Sequence, residues 1–252
     1  MTTTFPQKIL VLGGSGFVGR HVCAALSQQG HRITVPTRRL PARSVQMLPG
    51  VEVVQADVHN PAQLASLVRG HDAVVHLVAI LHGNEASFDH VHVQLLRHLV
   101  NACNSAGVHR LVHISALGAD EHAASMYQRS KGRGEAALQE LALHHPLRLT
   151  LVRPSVIFGA DDRFINVFAA LQQFAPVIPL ASASARFQPV WVQDVAQAIA
   201  HLVLNCQHRD TLRHEVVDDE VLSCRNHQKW RRSVMPQAPP LRVGGGNAHR
   251  RV

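Results

Sequence analysis

The sequence predicts an α/β fold in which a doubly wound parallel sheet carries a small, apparently truncated C-terminal lobe. Three observations lead to this prediction. Short apolar runs alternate with longer helical patterns through the first two thirds of the chain, as in successive βαβ units. A glycine-rich turn joins the first apolar run to the first helical pattern. Beyond Arg153 the alternation changes, and it stops near Asp210.

The elements follow from periodicity and from the residues that end each pattern. Helical patterns stop at Gly30 and Gly107, and Asn60-Pro61 forms an N-cap followed by proline at the first helical position. Because parallel strands can be joined only by crossovers, these elements predict a doubly wound sheet. Strands are predicted at residues 8–12, 32–37, 51–55, 72–78, 110–114 and 148–152, and helices at 17–29, 60–70, within 85–106 and at 125–143.

The remainder of the chain predicts fewer elements. Residues 163–174 have a helical pattern, residues 188–192 a strand pattern, and residues 194–204 the pattern of an amphipathic helix. From Thr211 onward, prolines and the three glycines at 244–246 interrupt every pattern, so we expect a basic, poorly structured tail.

Composition excludes several classes of protein. No apolar run has the length of a membrane span, and the N-terminus lacks the layout of a secretory signal, so we expect a cytoplasmic protein. The four cysteines lie far apart and the nineteen histidines form no ligand motif, which favours reduced thiols and no metal site. Half of the net charge of +8 lies in the tail, without aromatic platforms, so nucleic-acid binding is not expected.

The turn from Gly13 to Gly19 predicts a dinucleotide site. Its glycines permit a tight turn and a close backbone approach, and the helix that follows presents free N–H groups to a pyrophosphate. The sequence therefore predicts a Rossmann unit that binds NAD(P)(H); the alternative is a purely structural glycine turn. The predicted contacts in this turn are Gly13, Ser15, Gly16, Phe17, Val18 and Gly19. This divides the chain into a cofactor-binding domain at 1–155, a partial substrate lobe with a returning strand and helix of the sheet at 156–210, and the tail at 211–252.

The end of the second strand predicts which dinucleotide is preferred. An acid at that place usually meets the ribose hydroxyls of NAD, whereas this chain has Arg38 and Arg39 there. Arginine suits a 2′-phosphate, so NADP(H) is preferred and NAD(H) is the alternative; the two side chains could also be ordinary solvated loop residues. Asp57 and Val58 are placed to meet the adenine edge. Further contacts are predicted at Leu77, Val78 and Ala79, after the fourth strand, and at Pro154.

Tyr127 and Lys131 lie four residues apart on the helix predicted after the fifth strand. That spacing places both side chains on one helix face, where the ammonium would lower the pKa of the phenol and could also hold the nicotinamide ribose. Ser115 follows the fifth strand, at the sheet edge where doubly wound folds bind ligands, and could donate to a substrate oxygen. The alternative for the pair is ordinary helix-surface residues.

Together these motifs resemble a short-chain dehydrogenase/reductase of the extended or atypical type, near the NAD-dependent epimerase/dehydratase group. The resemblance covers residues 8 to 205. It rests on the glycine turn and on the segments Ala56–Val58, His113–Gly118, Tyr127–Lys131, Arg153–Gly159 and Pro189–Ala196. The segment Leu77–Leu81, followed by Val91-His92-Val93, is similar to one subgroup, which includes the nucleotide-binding accessory subunit of respiratory complex I and its bacterial relatives.

The resemblance implies roles for three residues and leaves two functions open. It implies that Tyr127 is the acid/base, that Lys131 binds the nicotinamide ribose and that Ser115 orients the substrate. The run after Ser115 and its short distance to Tyr127 depart from sugar-nucleotide epimerases. We therefore expect an oxidoreductase or epimerase acting on an unidentified small molecule, or a non-catalytic nucleotide-binding subunit with a respiratory partner, peripheral at the inner membrane. The tail from Thr211 leads us to expect a truncated or frame-shifted substrate lobe.

Overall fold

The structure is a computed structural model that describes residues 5–161, 189–205, 212–217 and 220–222. In that part of the chain the strands are β1 Lys8–Leu12, β2 Arg32–Thr37, β3 Val51–Gln55, β4 Ala73–His76, β5 Arg110–Ile114, β6 Arg148–Pro154, β7 Ile157–Phe158, β8 Val190–Trp191, β9 Leu212–Val217 and β10 Glu220–Leu222. The helices are α1 Phe17–Gln28, α2 Arg43–Gln46, α3 Pro61–Val68, α4 Glu85–Asp89, a π-helical segment His90–Gln94, α5 Leu95–Ala106, α6 Met126–His144 and α7 Val192–Asn205.

Eight of these strands form one sheet in the order β10-β9-β6-β5-β4-β1-β2-β3. The six strands from β1 to β6 are parallel, β9 is parallel to β6, and only β10 runs antiparallel, to β9. The strand order reverses between β1 and β4, so the loops that leave these two strands separate and open a crevice at the carboxyl edge of the sheet. The predicted doubly wound parallel sheet is confirmed.

Each face of the sheet is covered by helices. On one face Val22 and Leu26 of α1 pack with Val195 and Ile199 of α7 over side chains of β1 and β2. On the other face α3, α5 and α6 bury a leucine-rich cluster over β1, β5 and β6. Because both faces are buried, the strands read as continuous apolar runs rather than alternating ones.

Several local predictions are confirmed by the backbone. The Asn60 side chain accepts hydrogen bonds from the amides of Ala62 and Gln63, with Pro61 beside it at the first helical position. Gly107 ends α5 in the left-handed conformation with φ of 70°. Cys23 and Cys103 are buried and unpaired, and Cys206 and Cys224 lie outside the described residues.

The C-terminal third requires two corrections, and one expectation there lies outside the described residues. The expected strand at 188–192 is only β8, and it pairs with β7 in a separate two-stranded sheet rather than returning to the main sheet. Residues 212–217 and 220–222 are strands of the main sheet, so the start of the expected unstructured tail extends the sheet beyond β6. The helix expected at 163–174 lies outside the described residues.

The long pattern within 85–106 forms α4, the π-helical segment and α5 in immediate succession. β4 ends at His76, two residues before the predicted end, which places Leu77 and Val78 in the loop that follows. Among the described helices, none combines the length and the apolar character needed to cross a membrane.

Candidate active site

The glycine turn packs tightly between β1 and α1. Gly13 has φ of 84°, and a Cβ there would approach the backbone of Leu77 and Val78 at 3.2 Å. A Cβ at Gly19 would overlap the carbonyl oxygen of Gly13, so the first turn of α1 is cradled against the loop in a way that only glycine allows. Gly16 is the N-cap of α1 and makes no side-chain cap. The amides of the first helical turn have no acceptor within the helix, which fits this cradle to a pyrophosphate.

The side chains of Phe17 and Val18 point away from that anion position. Val18 packs against the apolar core beneath α1. Phe17 lies against Gly159, where a Cβ would meet its ring at 3.2 Å. These two predicted contacts can therefore reach a phosphate only through their backbone amides.

A cleft of about 610 Å³ extends from the glycine turn toward the ends of β2 and β3. The predicted contacts Arg38, Arg39 and Val58 line it, and Arg43 at the start of α2 adds a third guanidinium that the sequence interpretation missed. The residues lining it are Gly13, Ser15, Pro36, Thr37, Arg38, Arg39, Pro41, Ala42, Arg43, Ser44, Ala56, Val58, His59 and Val78. The cleft thus brings the turn, the arginines and the loop after β4 together.

Asp57 does not line this cleft. Its carboxylate accepts from the amide of His59 at 3.0 Å, and its own amide donates to Gln63 Oε1 at 2.8 Å. The side chain therefore shapes the loop after β3, which places Val58 and His59 at the cleft wall.

The loop after β4 closes the other side of the crevice. Val78 lines the cleft, and Leu77 is held by its amide, which donates to the carbonyl of Leu12 at 2.9 Å. Ala79 is exposed on the same loop. These three predicted contacts follow β4 directly, at the strand-order reversal.

Lys131 is the largest fully buried side chain of the described residues, with 2% exposure. Its ammonium donates to the carbonyl oxygen of Ile114 at 2.8 Å, which ties α6 to the end of β5. Burial lowers the pKa of Lys131 to about 8, although the carboxylate of Glu135 opposes this shift. Because this pKa lies only slightly above neutral pH, Lys131 keeps its charge there by a small margin.

Tyr127 stands on the second position of α6, one turn before Lys131, and its neighbours are aromatic. The ring of Phe88 lies 6.5 Å from it and that of His92 lies 5.7 Å from it, both edge to face. Burial raises the pKa of Tyr127 above 10. The expected lowering by Lys131 is wrong for this structure, because burial dominates and the ammonium is bound at the Ile114 carbonyl instead.

Ser115 and Pro154 lie at the same sheet edge. The Ser115 amide donates to the Val152 carbonyl at 2.7 Å, while its buried hydroxyl has no hydrogen-bond partner among the described residues. A buried hydroxyl without a partner fits a site that receives a polar ligand atom. Pro154 ends β6, and its carbonyl accepts from Leu117 at 2.9 Å.

Comparison with known proteins identifies the family at this point. Residues 9–216 match the model of the "NAD dependent epimerase/dehydratase family". The chain belongs to the NAD dependent epimerase/dehydratase family. The description of that family names NAD as the cofactor on which its members depend.

Curated relatives in this family include two kinds of protein. The chain is 32% identical to a ceramide reductase of Caulobacter vibrioides over 82% of this chain and 63% of that protein. It is 30% identical to the NADH dehydrogenase [ubiquinone] 1 alpha subcomplex subunit 9 of Rattus norvegicus, over 77% of this chain and 52% of that protein. The chain therefore spans about half to just under two thirds of the length of these relatives.

Solved structures agree with the fold. MoeE5 in complex with UDP-glucuronic acid and NAD superimposes with a TM-score of 0.73 at 21% identity, over 86% of this chain and 78% of that chain. The UDP-glucose 4-epimerase of Thermus thermophilus, also solved with NAD, gives a TM-score of 0.69 at 21% identity, over 86% of this chain and 79% of that chain. At this level of identity the two matches show a shared fold.

An ion pair that the sequence interpretation missed braces α6. Arg153, at the end of β6, donates from Nε and Nη2 to both carboxylate oxygens of Glu135 at 2.9 and 2.6 Å. Arg153 Nη2 also donates to the Ala119 carbonyl at 3.1 Å. The signal available in the sequence was Glu135, an acid one turn beyond Lys131 on an otherwise buried helix face.

Proposed function

We propose that this chain is an NADP(H)-preferring oxidoreductase that reduces a carbonyl group of a small molecule, with Tyr127 as the proton donor. The observation that carries the proposal is the position of Tyr127 at the start of α6, one turn before Lys131, whose ammonium ties this helix to the end of β5. Burial raises the pKa of Tyr127, so this phenol holds its proton at neutral pH.

The chemistry needs a hydride at the carbonyl carbon and a proton at its oxygen. The reduced nicotinamide supplies the hydride when bound. Tyr127 donates its phenolic proton to the oxygen, and the phenolate that remains lies one helical turn before Lys131. The buried hydroxyl of Ser115 donates to the same oxygen, which accounts for its lack of a partner among the described residues. The hydride and the proton together convert the carbonyl into an alcohol.

The substrate class is supported by two relatives. The ceramide reductase matches over 82% of this chain. A 2-alkyl-3-oxoalkanoate reductase of Stenotrophomonas maltophilia is 30% identical over 62% of this chain. Both names describe reduction, and neither describes a sugar nucleotide.

Turnover of NADPH tests the role of Tyr127. We expect NADPH oxidation in the presence of long-chain carbonyl compounds, including a 2-alkyl-3-oxoalkanoate, to fall roughly 100-fold or more in Tyr127→Phe. The substitution keeps the ring and its packing, so the thermal shift caused by NADPH should be unchanged. Equal turnover in both proteins would reject Tyr127 as the acid.

The cofactor preference is tested at the arginines. A 2′-phosphate held by two guanidinium groups should lose about tenfold or more in affinity when Arg38 and Arg39 are both replaced by alanine. The affinity for NADH, measured by the same thermal-shift titration, should change little. Arg69→Ala, at an exposed position after α3, is the matched control for lost positive charge. Equal affinity of the parent protein for NADPH and NADH would contradict the preference.

A second function is favoured by the mitochondrial NADH dehydrogenase relatives, of which the rat protein is 30% identical over 77% of this chain. In that function the chain is a nucleotide-binding subunit of a respiratory assembly, peripheral at the inner membrane. Co-purification with a membrane-bound dehydrogenase that persists unchanged in Tyr127→Phe would favour this function. Loss of NADPH turnover in that variant would favour the enzyme.

A further inference from the structure

The imidazole of His92 contacts three separate parts of the candidate site. His92 lies in the π-helical segment between α4 and α5 and is 2% exposed. Its Nε2 lies 3.2 Å from the amide nitrogen of Ile80, in the loop after β4. Its Nδ1 lies 2.8 Å from the hydroxyl of Ser130 on α6, and its ring packs edge to face on Tyr127 at 5.7 Å.

These contacts fix where the proton of His92 lies. A backbone amide can only donate, so Nε2 must accept from Ile80 and cannot carry a proton. The proton therefore lies on Nδ1 and is donated to Ser130 Oγ. The Ser130 hydroxyl in turn donates to the carbonyl oxygen of Tyr127 at 2.8 Å. The hydrogen bonds run in one direction, from the Ile80 amide through His92 and Ser130 to the backbone of Tyr127.

The neutral state of His92 is maintained by its surroundings. Burial lowers the pKa of His92 to about 3, and the ammonium of Lys131 contributes to this shift. The imidazole thus stays neutral wherever the protein is folded, and both of its hydrogen bonds persist across the physiological range.

Close packing of two helices places His92 there. A Cβ at Gly134 would overlap the carbonyl oxygen of His92, so α6 approaches the π-helical segment more closely than any other residue would permit. Phe88 packs on both partners, with its ring 5.5 Å from His92 and 6.5 Å from Tyr127. A π-helical segment within a longer helix shifts the helix faces and is frequent at functional sites.

We propose that His92 is a positioning residue that fixes the Tyr127 phenol relative to the loop after β4. That loop carries Leu77, Val78 and Ala79, the expected contacts to the dinucleotide. His92 therefore holds Tyr127 in a fixed position relative to the expected cofactor contacts. The inference rests on the proposed role of Tyr127, but its contacts can be tested without any substrate.

The test uses His92→Phe, which keeps an aromatic ring against Tyr127 and removes both hydrogen bonds. Tyr127 is the only tyrosine of the chain, so labelling with fluorotyrosine gives a single fluorine NMR resonance that reports its ring. We expect this resonance to shift and broaden, and the amide of Ile80 to exchange with solvent about tenfold faster or more, because it loses its buried acceptor. With a carbonyl substrate, kcat should fall about tenfold while the NADPH affinity stays within about threefold.

Two further variants guard against simple destabilisation. Ser130→Ala removes the acceptor of Nδ1 and the donor to the Tyr127 carbonyl but keeps the hydrogen bond between Ile80 and His92. It should produce smaller changes in the same direction, which matters if His92→Phe does not fold. Leu26→Ala opens a cavity beneath α1, in the core on the opposite face of the sheet from α5. Once its lower global stability is allowed for, this variant should leave the fluorine resonance and Ile80 exchange unchanged.

The two proposals fail in different ways. If His92→Phe and Ser130→Ala leave both the fluorine resonance and Ile80 exchange as in the parent, the positioning role is overturned. If those signals change but Tyr127→Phe keeps full turnover, His92 positions the ring as proposed and the role of Tyr127 as acid is wrong.

Discussion

Lys131 carries its charge inside the protein. Its folded pKa of about 8 lies below the ordinary value of 10.5, so the folded state binds fewer protons than the unfolded state between these two pH values. The free energy of unfolding therefore rises with pH across that window, by about 3 kcal/mol in total from this residue. Below pH 8 the buried ammonium is a destabilising feature that the candidate site retains.

Lys131→Met should remove that destabilisation. We expect the variant to have the higher free energy of unfolding at pH 7. The difference between the two proteins should shrink by roughly 2 kcal/mol by pH 10. Urea unfolding of both proteins at a series of pH values measures the difference. Tyr127, Cys23 and Cys103 ionise late in both proteins because burial raises each pKa, so their contribution cancels. A difference that is constant with pH would contradict the assignment.

At the scale of residues, the sequence could predict which side chains form the candidate site but not the direction in which their pKa values shift. Tyr127, Lys131 and the glycines were found because their spacing has one geometric meaning on a helix or in a turn. The sign of the pKa shift at Tyr127 was wrong, since it depends on burial and on the Ile114 carbonyl, seventeen residues away in the chain from Lys131. His92 could not be found by pattern, because its partners Ile80 and Ser130 come from different elements.

At the scale of elements, α6 contains two glycines that its helical conformation disfavours. Glycine in a helix interior is about 1 kcal/mol less favourable than alanine, so propensity alone predicts that Gly134→Ala stabilises the protein. The structure reverses this expectation, because a Cβ at Gly134 would overlap the carbonyl oxygen of His92. Gly132 is similarly confined by the backbone of Asp120 and Glu121.

We therefore expect Gly134→Ala to lower the free energy of unfolding by about 1–3 kcal/mol despite its better helix propensity, as overpacked substitutions do. Urea unfolding at pH 7 measures this. Glu140→Ala, at an exposed position of α6 with only a long ion pair to Arg97 at 3.8 Å, should differ from the parent by less than about 0.5 kcal/mol. A stabilised Gly134→Ala protein would show that α6 can move away from the π-helical segment.

The boundaries of elements were predictable where a local cap decides them. Asn60-Pro61 and Gly107 end or begin helices through hydrogen bonds and dihedral angles that belong to the residues themselves. The short strands β7 and β8 and the edge strands β9 and β10 depend on pairing with distant partners, so periodicity alone misplaced or missed them.

At the scale of the whole molecule, two histidines interrupt the leucine-rich face of the sheet. His76 and His113 are paired in register on β4 and β5, are almost fully buried, and share one hydrogen bond between their Nδ1 atoms at 3.0 Å. Their Nε2 atoms have no partner among the described residues. Because the two Nδ1 atoms share one proton, at most one of the two rings can be charged.

We therefore expect acid to unfold the protein through these rings. Burial lowers the pKa of His76 to about 3 and that of His113 well below 6.5, with Lys131 adding to both shifts. As pH falls below 6.5 the unfolded state binds protons that the folded state excludes, so stability is lost toward the folded pKa. Each such histidine lowers the free energy of unfolding by about 1.4 kcal/mol per pH unit. His92 is a third histidine with the same effect. A domain of ordinary stability should then unfold between about pH 4 and 5.

Replacing both rings with leucine separates this cause from general acid denaturation. A single substitution would leave the other ring without its Nδ1 partner, whereas His76→Leu with His113→Leu continues the apolar face formed by Leu10, Leu12 and Leu151. We expect the double variant to be at least as stable at pH 7 and to unfold at a midpoint lower by roughly half a pH unit or more, since two of the three rings with strongly lowered pKa values are gone. Circular dichroism against pH measures the midpoint, with exposed His109→Asn as the control. An unchanged midpoint would assign acid unfolding to carboxylates rather than to the sheet interior.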